Sequence, residues 1–225
     1  MGQAAYPTAV DLSSFLTGAG VATGVVAGLD LATAVAAARI AFERASGRVM
    51  LAGASATERR FDPPTNRERV VWLGDGGRNG DLASLTSVVY QPEGATAETW
   101  TQNTDFELLP ENALHASDDP VQPATMLRCT RLWSSPLPLS LRRSLKITGR
   151  WGYGLTIPED AWAAMRYRAA SLVLPQVRQA STGGLTRIQM GSSVQEYGRG
   201  GWDSLQSGWD AAYQEAVMAY RQVSL

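Results

Sequence analysis

Apolar positions near the start of the chain recur at the spacing of a helix. The residues of this stripe follow one another at intervals of four, three and four, and they are Leu31, Val35, Ala38 and Phe42. Asp30 precedes the stripe and is a typical N-cap, and Gly47 follows it with the conformational freedom that ends a helix. The pattern therefore predicts a helix over residues 30–46. A shorter helix, capped near Thr8 or Asp11, is predicted before it.

The pattern changes between about Arg48 and Gly154. Short runs of β-branched, aromatic and other apolar residues alternate there with Pro, Gly, Asn and Asp. The runs predict strands at 70–73, 82–90, 98–101, 106–109, 126–133 and 145–151. Strands of this length and spacing are typical of a small sandwich or a partly closed barrel.

Helical spacing returns after Pro158, a residue that suits the first position of a helix because its missing N–H would be unpaired there. We expect Pro175 to kink or end this helix. A glycine-rich stretch follows, with a predicted strand at 186–190. A last helix is predicted from Ser207, as its N-cap, to about Gln222.

Helices therefore flank a region of strands, which indicates an α+β fold. The simplest layout is a helical bundle built from both ends of the chain, with a small antiparallel β domain inserted in it. The parts of this layout are an N-terminal helical part at 1–47, the β domain at 48–154, a C-terminal helical part with the glycine-rich segment at 155–198, and a tail for partner docking at 199–225.

Composition excludes several classes of protein. The 225 residues are 44% hydrophobic and carry a formal net charge of −1, so the chain has enough apolar residues for a core and lacks the basic excess of a tight DNA binder. The single cysteine, Cys129, rules out an internal disulfide, and the single histidine, His115, rules out a histidine-built metal site. No apolar run is long and strong enough to span a membrane, and no signal peptide begins the chain. We expect no cofactor, no metal and no membrane, and synthesis in the cytoplasm.

Catalytic motifs are missing from the sequence. It contains no GxSxG elbow, no P-loop and no GxGxxG. Asp118 and Asp119 are the acidic pair through which an unrecognised hydrolase would work, but adjacent acids in a loop point apart. We expect a protein that is not an enzyme.

Charge is segregated along the β region. Residues 79–127 hold eight acids and no base, and residues 128–158 hold six bases and no acid. This segregation fits two solvated faces, or complementary surfaces on neighbouring copies of the chain, which would favour a ring. On the second reading, the residues predicted at the subunit interface or channel are Arg128, Arg131, Arg142, Arg143, Lys146, Asp118 and Asp119.

Seven tryptophans divide into two groups. Four lie in the β region and are expected in its core, with a carbohydrate-stacking surface through Trp100 or Trp133 as the alternative. The others include a pair in the glycine-rich tail, where a large aromatic residue has little local core to join. The residues predicted to bind a partner there are Trp202, Leu205, Trp209 and Tyr213. We expect the tail to order on docking, so that replacing both of its tryptophans by Ala leaves the fold intact.

Three segments resemble one family in their order and distances. They are 146–154 (KITGRWGYG) followed by 157–160 (IPED) and an Ala-rich helix, 104–113 (TDFELLPENA) and 185–197 (LTRIQMGSSVQEY). The chain resembles the head–tail connector (adaptor) family of tailed bacteriophages, in which a strand ending in TG-x-WGY is followed by a proline-started helix. Ser192 departs from the family pattern, which commonly has Asp there.

The resemblance implies a structural protein of the virion neck, assembled in the cytoplasm of the host bacterium. Connectors of this family form a ring, usually a dodecamer, below the portal protein, and their other side receives the next neck or tail protein. Double-stranded DNA passes through the lumen, and the C-terminal segment usually reaches into the portal. A carbohydrate-binding or structural module of the phage tail is the alternative.

Overall fold

The chain folds into two compact units of different type. The computed structural model describes residues 2–74, 80–111, 113–114, 122–182, 187–190, 193–196 and 199–221. One unit is formed mainly by Gly47–Ile157 and contains strands, and the other joins Ala5–Ser46 to Pro158–Gln222 and contains helices. The predicted α+β class is confirmed, because the helices and the strands occupy separate parts of the chain.

Two antiparallel sheets make up the β unit. The strands are β1 (Thr57–Phe61), β2 (Val70–Trp72), β3 (Leu82–Tyr90), β4 (Glu98–Trp100), β5 (Phe106–Leu109), β6 (Met126–Cys129) and β7 (Leu145–Trp151). The first sheet has the order β1-β7-β3-β4, and the second has the order β2-β6-β5. Over the residues that the structure describes, the sheets are not closed into a barrel.

Several strands of the β unit alternate buried and more exposed residues, and their apolar faces form its core. Along β7 every second residue is buried, as expected for a strand with one face on a core. β6 ends at Cys129, earlier than the predicted strand over 126–133. β1 was not predicted, because its sequence Thr-Glu-Arg-Arg-Phe lacks an apolar alternation and its residues are largely exposed. It pairs along its whole length with β7.

Two glycines at the end of β7 allow a close approach of backbones. A Cβ on Gly149 would lie 2.3 Å from the carbonyl oxygen of Ser84 on the neighbouring strand β3. Gly152 has a φ of +150°, and a Cβ there would lie 2.5 Å from the Cα of Ala52. Any larger residue would displace backbone at both positions. Both glycines belong to the segment 146–154, so this part of the motif has a steric explanation.

The helical unit contains five helices among the described residues. They are α1 (Ala9–Gly18), α2 (Thr23–Val26), α3 (Leu31–Ser46), α4 (Glu159–Thr182) and α5 (Arg199–Tyr220). A hairpin of β8 (Arg187–Met190) and β9 (Ser193–Glu196) lies between α4 and α5 in the sequence. The core includes apolar residues of every helix, among them Leu12, Val26, Ala38, Ala169 and Trp209.

Predicted capping residues are found at both N-terminal helices. Thr8 and Asp11 form a capping box at α1, in which each side chain accepts a hydrogen bond from the other's backbone N–H. The Thr8 hydroxyl also donates a hydrogen bond to the Asp11 carboxylate at 2.6 Å, and this bond, together with the one from the Thr8 N–H, lowers the pKa of Asp11. At α3 the Asp30 carboxylate accepts a hydrogen bond from the Thr33 N–H at 3.1 Å, and Gly47 follows the helix with a φ of +71°.

Two helix boundaries that the sequence suggested, an end at Pro175 and a start at Ser207, are wrong. Pro175 lies inside α4, which continues to Thr182, so this proline does not end the helix. Ser207 lies in the middle of α5, which begins eight residues earlier, at Arg199, so Ser207 is not its N-cap.

Candidate partner-binding surfaces

The predicted docking residues of the C-terminal segment all lie on α5. Trp209 is 7% exposed, and its ring centroid lies 5.4 Å from that of Phe15 on α1. Tyr213 is 6% exposed, and its ring lies 6.0 Å from that of Phe42 on α3. The expectation that the tail tryptophans have little core to join is therefore wrong for Trp209, and the predicted partner-binding residue Tyr213 is buried as well.

The other two docking residues are more accessible. Trp202 is half-buried and packs against the apolar core of the helical unit, and Leu205 is 40% exposed. Of the four predicted residues, Leu205 presents the largest exposed fraction. The portal-binding role of the four residues stays a prediction.

Polar contacts also hold α5 within the helical unit. Arg178 on α4 forms an ion pair with Asp203 at 2.6 Å. Near the other end of α5, the Tyr220 hydroxyl donates a hydrogen bond to the Asp160 carboxylate at 2.7 Å. Contacts at both ends explain how a segment with several glycines forms one helix.

The periodicity of α5 was available in the sequence. Its buried apolar residues recur at intervals of four, three, one and three residues, and they are Trp209, Tyr213, Ala216, Val217 and Tyr220. This is the spacing of a buried helix face. The glycines at 200 and 201 placed the start of the predicted helix too late, at Ser207, whereas Gly208 lies inside the predicted helix, and nothing lies within 4 Å of the position that a Cβ on Gly208 would take.

Two of the predicted interface arginines form ion pairs within the chain. Arg128 on β6 lies in register with Glu107 on β5, and its Nε lies 2.8 Å from the Glu107 carboxylate. The hydrogen bond and charge of Glu107 raise the pKa of Arg128. Arg131 contacts Glu98 of β4 at 2.9 Å. Part of the charge segregation along the sequence is therefore neutralised where strands meet.

The remaining predicted charges have different surroundings. The Lys146 ammonium donates a hydrogen bond to the Gln91 side chain at 2.6 Å. Arg142 and Arg143 are exposed, and the backbone N–H of Arg143 donates to the Asp62 carboxylate at 2.7 Å. Asp118 and Asp119 lie outside the described residues, as does His115. The interface role of these residues stays a prediction.

The tryptophans of the β unit are not all in its core. Trp100 and Trp151 are buried, and Trp133 is half-buried. Trp100 stacks on both Trp133 and Tyr90, the Trp133 and Tyr90 rings are tilted to each other, and Arg131 lies over the Tyr90 and Trp133 rings. Trp100 therefore has no open face for a sugar ring.

Trp72 departs from the expected core position, because it is 49% exposed. It lies on β2, at the edge of the second sheet, and lines a groove of about 570 Å³. The other wall of this groove is formed by β1, the edge strand of the first sheet. Neither the exposure of Trp72 nor the groove was predicted from the sequence.

Two ionisable groups of the β unit are buried. Cys129 lies in the core, and desolvation raises its pKa to about 12, which makes its thiol a poor nucleophile. Asp81 has no exposed side-chain surface, and it forms an ion pair with Arg48 at 2.5 Å. Burial raises the pKa of Asp81 more than Arg48 lowers it.

The described part of the chain offers neither a metal site nor a membrane span. Among the residues that the structure describes, no three of the types His, Cys, Asp and Glu are grouped so that they would hold a metal ion. None of the described helices has the length and apolar character needed to cross a membrane.

Known proteins that resemble this chain were found among solved structures. No family model and no curated protein matches the chain. The chain is similar to a solved chain described as the neck of an empty GTA particle, computed with C6 symmetry. The two are 14% identical with a TM-score of 0.47, and the alignment covers 100% of this chain and 96% of that chain.

Proposed function

We propose that the protein is a structural head–tail connector of a tailed bacteriophage or a related particle. In this role it forms a ring below the portal protein, joins the capsid to the next neck or tail protein, and surrounds the passage for double-stranded DNA. The protein would then be a virion component with no catalytic activity.

The observation that carries the proposal is the ordered set of segments that resembles the connector family. The segment 146–154 coincides with β7 and the turn after it, and the proline-started segment leads directly into α4. Trp151 is buried, and its indole N–H donates a hydrogen bond to the Thr57 carbonyl oxygen at 3.0 Å. The residues that carry the resemblance therefore build the connection between the strands and the helices, as a motif that specifies a family fold would.

The partner contacts are part of the proposal. We assign portal docking to the outward side of α5, where Leu205 is exposed and Trp202 is half-buried. Trp209 and Tyr213 would support this surface from within the helical core rather than touch the portal. Arg142, together with the acidic residues Asp118 and Asp119, remains a candidate for the subunit interface or the channel.

The mass of the purified protein, alone and mixed with the portal protein of the same particle, tests the function. Native mass spectrometry or light scattering should find a ring-sized species, or a monomer that assembles on the portal. A monomer that ignores the portal would overturn the proposal. Glycan-array binding by that monomer would favour the tail-module alternative, and hydrolytic turnover would favour an enzyme.

Docking through α5 has its own control. The Leu205→Ala variant should weaken portal binding while the helical unit stays folded. Val10→Ala is a matched control, because Val10 is also an exposed apolar residue of the helical unit but lies on α1. Equal portal binding by the wild type and the Leu205 variant would contradict this assignment.

A further inference from the structure

The two edges of the β unit carry opposite charge. β1 and β2 are edge strands of the two sheets, and they lie on the same side because they form the two walls of the Trp72 groove. β4 and β5 are the opposite edge strands, and they are joined by a tight turn in which the Asp105 carboxylate accepts a hydrogen bond from the Thr101 N–H at 2.7 Å. Each sheet therefore contributes one strand to each edge.

The side formed by β1 and β2 is basic, and we call it the basic edge. It comprises residues 57–74 together with Arg142 and Arg143. This set contains six arginines and three acids, an excess of three positive charges. Arg60 and Arg143 are exposed residues that line the groove. The exposed Trp72 adds an aromatic surface of the kind that dominates protein interfaces.

The side formed by β4 and β5 is acidic, and we call it the acidic edge. Residues 91–111 hold five acids and no base. Arg128 and Arg131 pair with acids of this segment and the Lys146 ammonium contacts its Gln91 side chain, which leaves an excess of two negative charges. Glu93 is exposed, and the Glu111 side chain is 84% exposed. The excess charge on this edge is opposite in sign to that on the basic edge.

We propose that the acidic edge of one copy docks on the basic edge of the next, with Trp72 as the apolar anchor of the contact. The two surfaces are different patches of the same chain, so the contact is heterologous, and its repetition builds a ring if the rotation closes. The opposite charges also determine which edges pair, because two basic edges or two acidic edges repel each other. This inference rests on the proposed function and gives its ring a specific interface.

Charge reversal on one edge at a time tests the contact. Arg60→Glu with Arg143→Glu makes both edges acidic, and Glu93→Arg with Glu111→Arg makes both edges basic. Each double variant alone should lose at least about tenfold in self-association, because every edge-to-edge contact then joins like charges. A mixture of the two variants should recover association, since each contact between one variant and the other again joins opposite charges. The variant with all four substitutions should recover self-association without a second variant being present.

Sedimentation velocity, with and without the portal protein, measures association, and cross-linking locates it. Arg60→Cys in one copy and Glu93→Cys in another should be joined by a short bismaleimide, and neither variant alone should form cross-linked pairs. The native Cys129 is buried and should not react. Arg44→Glu with Arg221→Glu applies the same charge change to exposed arginines of the helical unit and should leave association unchanged.

The anchor is tested separately from the charges. Trp72→Ala should weaken association about tenfold while leaving its dependence on salt unchanged. Met218→Ala is a control, because it removes an exposed apolar side chain from α5 and should have no effect on self-association. Association that survives Trp72→Ala unchanged would overturn the anchor.

The remaining outcomes separate this interface from the proposed function. Single-edge variants that associate like the wild type, a mixture that does not recover, or the absence of cross-linking with and without portal would each overturn the interface. DNA binding that is lost on reversal of Arg60 and Arg143, without a change in association, would assign the basic edge to DNA instead. Edge-dependent rings that ignore the portal would leave the interface standing and overturn the connector function.

Discussion

Replacing Trp209 with Ala should destabilise the helical unit strongly. The side chain is 7% exposed and lies among buried residues of the other helices, with its ring 5.4 Å from that of Phe15. Truncating a buried aromatic residue costs about 3–5 kcal/mol, because it removes the transfer free energy of the ring and leaves a cavity. We place Trp209 at the middle of this range, about 4 kcal/mol, because it retains some exposure while it joins several helices.

Urea unfolding followed by far-UV circular dichroism measures this loss, because the helical unit contributes most of the helical signal. Leu205→Ala is the control: it lies four residues earlier on the same helix, is 40% exposed, and should cost about 1 kcal/mol or less. If Trp209→Ala unfolds within about 1 kcal/mol of the wild type, α5 is not packed as described. Trp209 would then be available for docking, as the glycine-rich sequence around it suggested.

Further predictions concern the glycines and the buried ionisable groups. Gly208→Ala should stabilise the protein by about 0.5–1 kcal/mol, because Ala is the better residue inside a helix. Gly149→Ala should instead destabilise it by about 1–3 kcal/mol through the clash with strand β3. Thermal unfolding compares the two variants, and equal melting temperatures would refute the steric argument. Cys129 should react with a thiol reagent in urea but not in the folded protein, because burial raises its pKa to about 12. Fast modification of Cys129 in the native state would contradict that burial. Because the pKa of Asp81 is raised in the native state, the native state binds the Asp81 proton more tightly than the unfolded state does. The contribution of Asp81 to stability should therefore fall as the pH rises from the unfolded-state pKa of about 4 through the raised native pKa. Stability curves of the wild type and Asp81→Asn across that window should diverge, and parallel curves would refute the shift. Arg48→Ala should cost about 3–5 kcal/mol at neutral pH in denaturant titrations, because it leaves a buried carboxylate unpaired, and a loss below about 1 kcal/mol would show that the ion pair is solvated.

Local patterns predicted most of the regular elements. The stripe that includes Leu31 and Phe42 predicted α3 to within one residue, because an amphipathic helix has a period that is visible without any partner. The strand prediction at 145–151 agrees with β7, whose alternate residues face a core. The same reasoning missed β1, since an exposed strand of charged residues gains its stability from pairing with β7 and not from its own pattern.

The candidate surfaces could be predicted less well than the elements. The segregation of acids and bases was visible in the sequence, but the pairing of Arg128 with Glu107 depends on the register of β5 and β6. The groove beside Trp72 depends on β1 and β2, which follow one another in the chain, lying at the edges of two different sheets. Sequence spacing carries no information on which strand lies at an edge, so neither feature could be derived from it.

The sequence by itself determined the class of fold, the principal helices and strands, and the family that the chain resembles. These properties depend on short-range periodicity, capping residues and motif order, all of which are local. Only the tertiary structure decided which aromatic residues are buried, so Trp209 lies in a core although glycines precede it, and Trp72 is exposed although it lies on a strand. The physical reason is that burial depends on which elements pack together, and those partners are distant in the chain.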